Sequence, residues 1–278
     1  MRLTFVFWPS VRRHKHGVQD GAKTQLTDKQ WDRIQDLFPW EPPTRYGGRP
    51  RKHPRDYLEG ILWVLRSGAR WKDLPNSFPS FSTCWRRFQE WTAAGIFKVA
   101  WARLLDELDD LGEINWEEAM ADGTFSPAKK RGDEVGKTKR GKGTKIMLLI
   151  DGEGLPLGAD TESASAAEVN LIERLVDRRT TQRQPARLIY DKAGDSDPLR
   201  ERLASRGIDL ISPHRRNRKR RPTQDGRKLR RYRRRYKVER TIAWLQSFRR
   251  LVTRYEYHAH LFKGFVQLAC LFTILQRF

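Results

Sequence analysis

Asp122, Asp191 and Glu239 stand apart from the other acids of this chain by their neighbours. Asp122 sits in Met-Ala-Asp-Gly-Thr-Phe, an apolar segment in which an unpaired charge is costly to bury. Asp191 follows Leu-Ile-Tyr at the carboxyl end of an expected strand, the end at which α/β sheets tend to bind ligands. Glu239, in Tyr-Lys-Val-Glu-Arg, comes one residue after Val238 opens the apolar face of a helix. Any one of them taken alone is explained by a salt bridge to one of the many arginines. Together they are candidates for a site. The second chemical feature is the stretch 215–237, rich in arginine and nearly free of acid. It lies between a strand and an amphipathic helix rather than in a tail. It therefore reads as a phosphate-binding loop, since a guanidinium grips phosphate oxygens in pairs. Cys84 and Cys270 show neither C-x-x-C nor Cys/His spacing, which argues against a disulfide framework and a structural zinc.

The elements that must carry these residues follow from hydrophobic period and caps. Thr27 and Gln30 form a capping box and Leu26 and Trp31 a hydrophobic staple, so a helix begins near Leu26. Trp31, Ile34 and Leu37 keep its period, and Pro39 ends it. Pro54 opens a second helix with Leu58, Ile61, Leu62 and Leu65 inward and Gly68 as its stop. A third runs from about Ser82, with Trp85, Phe88 and Trp91 on one side and Gly95 at its end. A fourth runs from Ile96 to about Leu108. Residues 26–112 read as an all-helical unit, and 1–25 as a flexible leader. Beyond Gly112 the pattern changes. Three strands, 117–125, 146–150 and 155–161, form a meander. Helix 166–178, strand 187–191, helix 198–205 and strand 208–212 follow. Val238, Ile242, Leu245, Val252 and Tyr255 keep one helical period. Residues 264–278 make a buried helix, too short and too polar to span a membrane. The expected fold class is α/β, with a mixed five-stranded sheet and its helices over 113–278, preceded by the helical unit.

Charge narrows the partners. The formal net charge is +22, and hydrophobic residues make up 38% of the chain, enough for a core. Such an excess of cations points to a polyanion. Nucleic acid is favoured over a membrane surface because no basic helix carries the clean apolar face that a membrane would need. The tryptophans, concentrated before residue 120, fall at helical spacing, which suits core packing better than base stacking.

Several segments resemble the insertion-sequence DDE transposases of bacteria. Arg49-Pro-Arg, the run from Gly60-Ile-Leu-Trp to Asp73-Leu-Pro, and Ser82-Thr-Cys-Trp-Arg-Arg-Phe look like that family's N-terminal part. Asp122-Gly-Thr, Asp191-Lys-Ala-Gly-Asp-Ser-Asp and Val238-Glu-Arg-Thr-Ile-Ala-Trp-Leu look like its three catalytic blocks, in order. Its C-terminal Tyr, Arg, Glu and Lys signature is matched by Tyr232, Arg235 and Glu239, with Gln246 at the lysine position. Relatives often carry an aromatic where this chain has Gly194.

The resemblance implies a ribonuclease-H-like catalytic fold and a transposase that cleaves element ends and joins their 3′ ends to target DNA. It also implies two Mg2+ ions, replaceable by Mn2+, with Asp122 shared between them, Asp191 on one and Glu239 on the other. Asp195 and Asp197 are expected to cap a helix or to stand behind the ligands. A reader of terminal repeats is also implied. Arg86, Arg87 and Gln89, outward from the Trp85/Phe88/Trp91 face, are its candidates. Arg230, Arg231, Tyr232, Arg233, Arg234 and Arg235 are the candidates for DNA contact in the basic loop. The implied partners are double-stranded DNA and a second or further copy of the chain. The implied location is the bacterial cytoplasm, at the nucleoid and without a membrane. A non-catalytic DNA-binding regulator and a ribonuclease acting on RNA–DNA hybrids are the alternatives.

Overall fold

A computed structural model describes residues 26–40, 51–224 and 226–278; the leader 1–25 and Arg49-Pro50 lie outside the described residues. The first element forms as its caps dictate. Thr27 Oγ1 accepts from the Gln30 N–H at 3.2 Å, Gln30 Oε1 accepts from the Thr27 N–H at 3.1 Å, and α1 (Asp28–Asp32) follows. It is shorter than its apolar period implies. Ile34 leaves the helical region, and a 3-10 turn at Gln35–Leu37 completes the segment. Next come α2 (Pro54–Ser67), stopped by Gly68, then α3 (Phe81–Ala93) and α4 (Ile96–Asp110), separated by Gly95.

The sheet is built from β1 (Ala119–Pro127), β2 (Gly136–Thr138), β3 (Gly141–Asp151) and β4 (Pro156–Ser163). After these come α5 (Val169–Asp177), β5 (Arg187–Ile189), α6 (Asp197–Ser205) and β6 (Asp209–Ile211). The order is β2-β3-β1-β5-β6, with β4 also on β3. β1 runs antiparallel to β3 and parallel to β5, and β5 runs parallel to β6. The sheet is mixed, as expected, but it has 6 strands rather than five. The added strand, β2, holds glycine, lysine and threonine, so no apolar alternation marks it. Backbone pairing to β3 makes it, across a turn in which Gly141 takes φ 105°. Gly136 lies so close to Ser163 and Ser165 that a Cβ would collide with both. α5 opens at Val169 rather than Ala166 because Lys145 holds the preceding turn. Its Nζ donates to the Ala166 carbonyl at 2.9 Å and pairs with Glu168 at 3.1 Å.

Beyond β6 the chain forms α7 (Gly226–Leu229), a 3-10 turn at Arg231–Arg235, α8 (Tyr236–Ser247), α9 (Arg249–Val252) and α10 (Ala259–Leu275). The single helix expected through Tyr255 is broken at Phe248, where ψ is 96°. The break lets the following segment return to β1. The Arg254 N–H donates to the Pro127 carbonyl at 2.9 Å. Its guanidinium is buried on Thr144 Oγ1 at 2.5 Å and the Glu256 carbonyl at 2.9 Å. Val252 and Tyr255, taken in sequence as inward, are exposed.

One hydrophobic cluster runs from Leu26 to Leu275, and α10 is its axle. Phe265 of α10 stacks on Phe88 of α3 at 4.2 Å between ring centres. Trp101 of α4 donates its Nε1–H to the Pro156 carbonyl at 2.9 Å. The helical part and the sheet thus share apolar surface through α10. Among the described residues no helix is long and apolar enough to cross a membrane. Phe88 has no exposed surface. Phe88→Ala should cost about 3–5 kcal/mol, and urea unfolding should remain one transition by circular dichroism and by tryptophan fluorescence. Separate transitions by the two probes would mean that the shared core does not couple the halves.

Candidate active site

Strand register places the first two carboxylates. Met120 of β1 pairs with Ile189 of β5 in parallel. Two residues beyond this rung come Asp122, still within β1, and Asp191, just past the carboxyl end of β5, on neighbouring strands that lie about 4.8 Å apart in such a sheet. The Asp122 side chain is 15% exposed. Its Oδ1 accepts from the Gly123 N–H at 2.9 Å and its Oδ2 from Arg235 Nη2 at 2.5 Å. Asp191 closes β5 with a tight turn, its Oδ1 accepting from the Ala193 N–H at 2.8 Å. Beside it, the Tyr190 ring comes to 3.0 Å of where a Cβ on Gly194 would stand, so that space is already filled.

Glu239 lies in the first turn of α8, and Arg235 connects it to the strand. Arg235 Nη1 donates to Glu239 Oε1 at 2.7 Å while Nη2 holds Asp122, so one guanidinium spans β1 and α8. Burial pushes the Asp122 carboxyl above its usual range. Arg235 and the Gly123 N–H pull it back only in part, and the Asp191 charge adds to the rise. Burial also opposes the Arg235 charge, but Asp122 outweighs it and the guanidinium is held more firmly protonated. α8 is further tied down where Thr241 Oγ1 donates to the Gly154 carbonyl at 3.0 Å and Lys237 Nζ donates to the Gly152 carbonyl. Gln246 Nε2 donates to Thr124 Oγ1 at 2.9 Å, so the residue at the signature's lysine position is a second link from α8 to β1.

The basic loop divides into two kinds of residue. Glu118, 2% exposed at its side chain, takes Arg234 at 2.6 Å and Arg231 at 3.1 Å. Arg231, Arg234 and Arg235 are thus engaged by carboxylates of the chain itself. Arg230 and Arg233 are exposed, and Tyr232 packs half-buried against the core. Sequence reasoning missed Glu118. It stands immediately before β1, and its even spacing from Asp122 was the available signal, since alternate residues of extended chain share a face. In α3 the expected inner face holds, with Phe88 and Trp91 buried and Trp85 half-buried on Trp71. Gln89 is exposed and Arg86 is 65% exposed at its side chain, whereas Arg87 is tied to Glu90 at 2.6 Å.

Asp195 does not cap α6; Ser196 does, accepting from the Leu199 N–H at 3.4 Å. Asp195 instead pins the start of the basic loop. It receives the Arg215 N–H at 2.8 Å, His214 Nδ1 at 2.9 Å, Arg200 at 2.9 Å and Arg218 at 3.2 Å. Asp197 receives Arg218 at 2.9 Å. Burial raises the Asp195 pKa, but the Arg215 N–H, His214 and Arg200 outweigh it and hold the carboxyl at about 2. No sequence signal separated these roles from helix capping.

The site offers only oxygen donors. Among the described residues no three carboxylate, histidine or cysteine side chains converge on one point. Between two of the three sits instead the Arg235 guanidinium, with its Nε buried and without a hydrogen-bond partner. Carboxylate oxygens are the donors a hard divalent ion prefers, and here one guanidinium neutralises two of them in part.

A mixed sheet with one acid within its central strand, a second just past the end of the parallel neighbour and a third on a helix linked to the first through Arg235 is ribonuclease-H-like. Residues 118–274, more than half of the chain, match the family described as the transposase DDE domain, and 26–101 match one described as putative transposase of IS4/5 family. The chain belongs to the DDE transposase family, enzymes that act on DNA and generally use divalent metal ions. It is 36% identical over 121 residues to the insertion element IS402 uncharacterized 16.2 kDa protein of Burkholderia cepacia, covering 42% of this chain and 82% of that protein. It is 35% identical over 136 residues to the putative transposase for insertion sequence element IS402 from the same organism, covering 46% of this chain and 61% of that one. Among solved structures, the piggyBac transposase in a synaptic complex with hairpin DNA has a similar fold. Its TM-score is 0.51 at 12% identity, over 92% of this chain and 74% of that one.

Asp195→Asn should loosen the basic loop. Trypsin at neutral pH should then cut between residues 213 and 224 at least severalfold faster than in the wild type, and equal rates would remove Asp195 as the anchor. Because the folded carboxyl titrates at about 2, below the ordinary 3.8, its contribution is complete above the ordinary value and lost as pH falls towards 2. Acid should therefore reproduce the loosening only as pH falls below the ordinary value, and fully below about 2.

Proposed function

We propose that this transposase binds the terminal inverted repeats of a mobile element, cleaves the DNA at the element's ends and joins the 3′ ends to target DNA, with Asp122, Asp191 and Glu239 as its catalytic residues. The observation that carries the reading is the parallel pairing of Met120 with Ile189, which sets two acids side by side, together with the Arg235 link to the third. Asp122 would ligate two divalent ions, Asp191 one of them and Glu239 the other, with Mg2+ the natural ion and Mn2+ a substitute. Two ions so held supply charge for the attacking and leaving oxygens of a phosphodiester and an activated water. The protein's own part is positional. β1 and β5 fix the two aspartates on a rigid sheet, and Thr241, Lys237 and Gln246 hold α8, whose Glu239 is linked to Asp122 through Arg235. The buried setting of Asp122 keeps water from screening its charge.

DNA contact is assigned to two regions, residues 26–112 as the helical binding domain and the basic loop of the catalytic domain, 113–278. Arg86 and Gln89, with Arg87 once it leaves Glu90, suit base edges from α3. Arg230 and Arg233 suit phosphates directly. Arg231, Tyr232, Arg234 and Arg235 shape that surface while they hold Glu118 and Asp122. Bringing two element ends together requires at least two protomers, and a homodimer or larger assembly acting in the bacterial cytoplasm at the nucleoid is the corresponding expectation.

Asp122→Asn, Asp191→Asn and Glu239→Gln each remove charge and keep shape. Each should reduce cleavage of an element-end duplex in Mg2+ by at least about a hundredfold and leave its affinity for that duplex unchanged. A variant that cleaves near the wild-type rate would take its residue out of the site. Arg86→Ala with Gln89→Ala should lower the ratio of specific to scrambled duplex binding, and Arg230→Ala with Arg233→Ala should weaken both alike. The same ratio in both pairs would place the end-reading surface elsewhere.

A further inference from the structure

The six cations Lys129, Lys130, Arg131, Lys137, Lys139 and Arg140 lie between β1 and β3, on the 128–133 segment and the β2–β3 hairpin, and all six are exposed. Among the described residues none of them pairs with a carboxylate within 4.0 Å. The acids of the same stretch are turned to other uses: Asp133 faces His258 at 3.4 Å and Glu134 accepts from Thr161 Oγ1 at 2.9 Å. An unneutralised cluster of this density repels itself and destabilises the fold unless an anion is its purpose.

The backbone beneath the cluster is firmly held. Ala128 N–H donates to the Lys142 carbonyl at 2.9 Å, Lys129 N–H to the Arg254 carbonyl at 3.0 Å, and Asp133 N–H to the Tyr257 carbonyl at 3.2 Å. Gly132 approaches that last carbonyl so closely that a Cβ would overlap it. Glu134 holds a left-handed φ of 54°, a costly conformation for a residue with a side chain, and its carbonyl accepts from Thr144 Oγ1 at 2.8 Å. The neighbouring segment alternates, with Arg254 and Glu256 buried and Tyr255 and Tyr257 exposed at 39% and 55%.

We propose that this platform is a second DNA-binding surface, which grips the phosphate backbone of a duplex at a distance from the reacting phosphate; the proposal rests on the DNA-cleaving reading of the site. Three features select duplex phosphate as the ligand. The cations are mostly lysines, point charges without base-reading geometry. The exposed faces of the hairpin carry no apolar stripe that would enter a membrane. The platform also continues the strands that bear Asp122. From Asp122 to Pro127 along β1, and from Leu148, the partner of Asp122, to Gly141 along β3, the platform spans about 17–24 Å from the site, or about five to seven base pairs of duplex. Its side chains project from an ordered backbone, so binding costs little further ordering.

The test uses the full chain and two triple variants, Lys129→Ala with Lys130→Ala and Arg131→Ala, and Lys137→Ala with Lys139→Ala and Arg140→Ala. All six positions are exposed, and circular dichroism checks folding. Fluorescence anisotropy would measure Kd against salt for a duplex extending 15 base pairs on each side of the element boundary. Each triple variant should flatten the log–log salt slope by about 1–3 and weaken binding about tenfold or more at low salt. The matching lysine-to-arginine variants should keep the wild-type slope. On a duplex trimmed to three base pairs on each side, wild type and variants should bind alike. Unchanged slopes on the long duplex, with wild-type cleavage in Mg2+ intact, would overturn the platform and leave the active-site reading standing. A wild type that binds neither duplex would overturn both.

Discussion

The structure turns on the compensation of buried negative charge along one face of β1. Glu118, immediately before that strand, and Asp122, within it, have little exposure, and a carboxylate so placed is stable only beside a cation. The arginine turn before α8 supplies three, Arg231 and Arg234 to Glu118 and Arg235 to Asp122. Where these pairs form, the turn is fixed against the sheet, α8 must begin just beyond it, and Glu239 is linked through Arg235 to Asp122. The same contact sets the site's electrostatics. Asp122 bears a burial cost that one guanidinium does not fully offset, and a more highly charged cation at that point would meet a carboxylate poised to accept it.

This changes how the basic loop is understood. Its charge is not a uniform adhesive for DNA, because part of it is spent inside the protein. Arg200 and Arg218 with Asp195 anchor one end of the loop, and the Glu118 pairs anchor the other. Exposed cations of the loop, among them Arg216, Lys219, Arg221, Arg230 and Arg233, and those beyond β1 are left to face solvent. A net charge of +22 therefore has two origins, one structural and one facing outwards.

Much of this was legible in the sequence, and the limits are physical. The Thr27/Gln30 capping box, the helix from Pro54 and the strand carrying Asp122 were visible because caps and apolar period act locally. Asp122 and Asp191 could be singled out as acids in apolar strand context, but their pairing depends on a register between segments far apart in the chain. β2 was invisible because backbone pairing and glycine close packing, rather than buried side chains, create it. The break at Phe248 was hidden because the segment it frees is held by a buried arginine, Arg254, in a position that an apolar count treats as solvent. Arg235 could be matched to a family signature, yet nothing in its neighbours revealed that one guanidinium holds two of the three candidate ligands.

The most direct measurement is electron paramagnetic resonance of Mn2+ titrated into the protein on an element-end duplex. If Asp122 is the ligand common to two ions, the wild type should give a spin-coupled pair. Asp122→Asn should lose the coupling, and Glu239→Gln should retain a single, uncoupled ion. An unaltered coupled signal in Asp122→Asn, or no bound Mn2+ in the wild type, would contradict a centre built on Asp122 of β1.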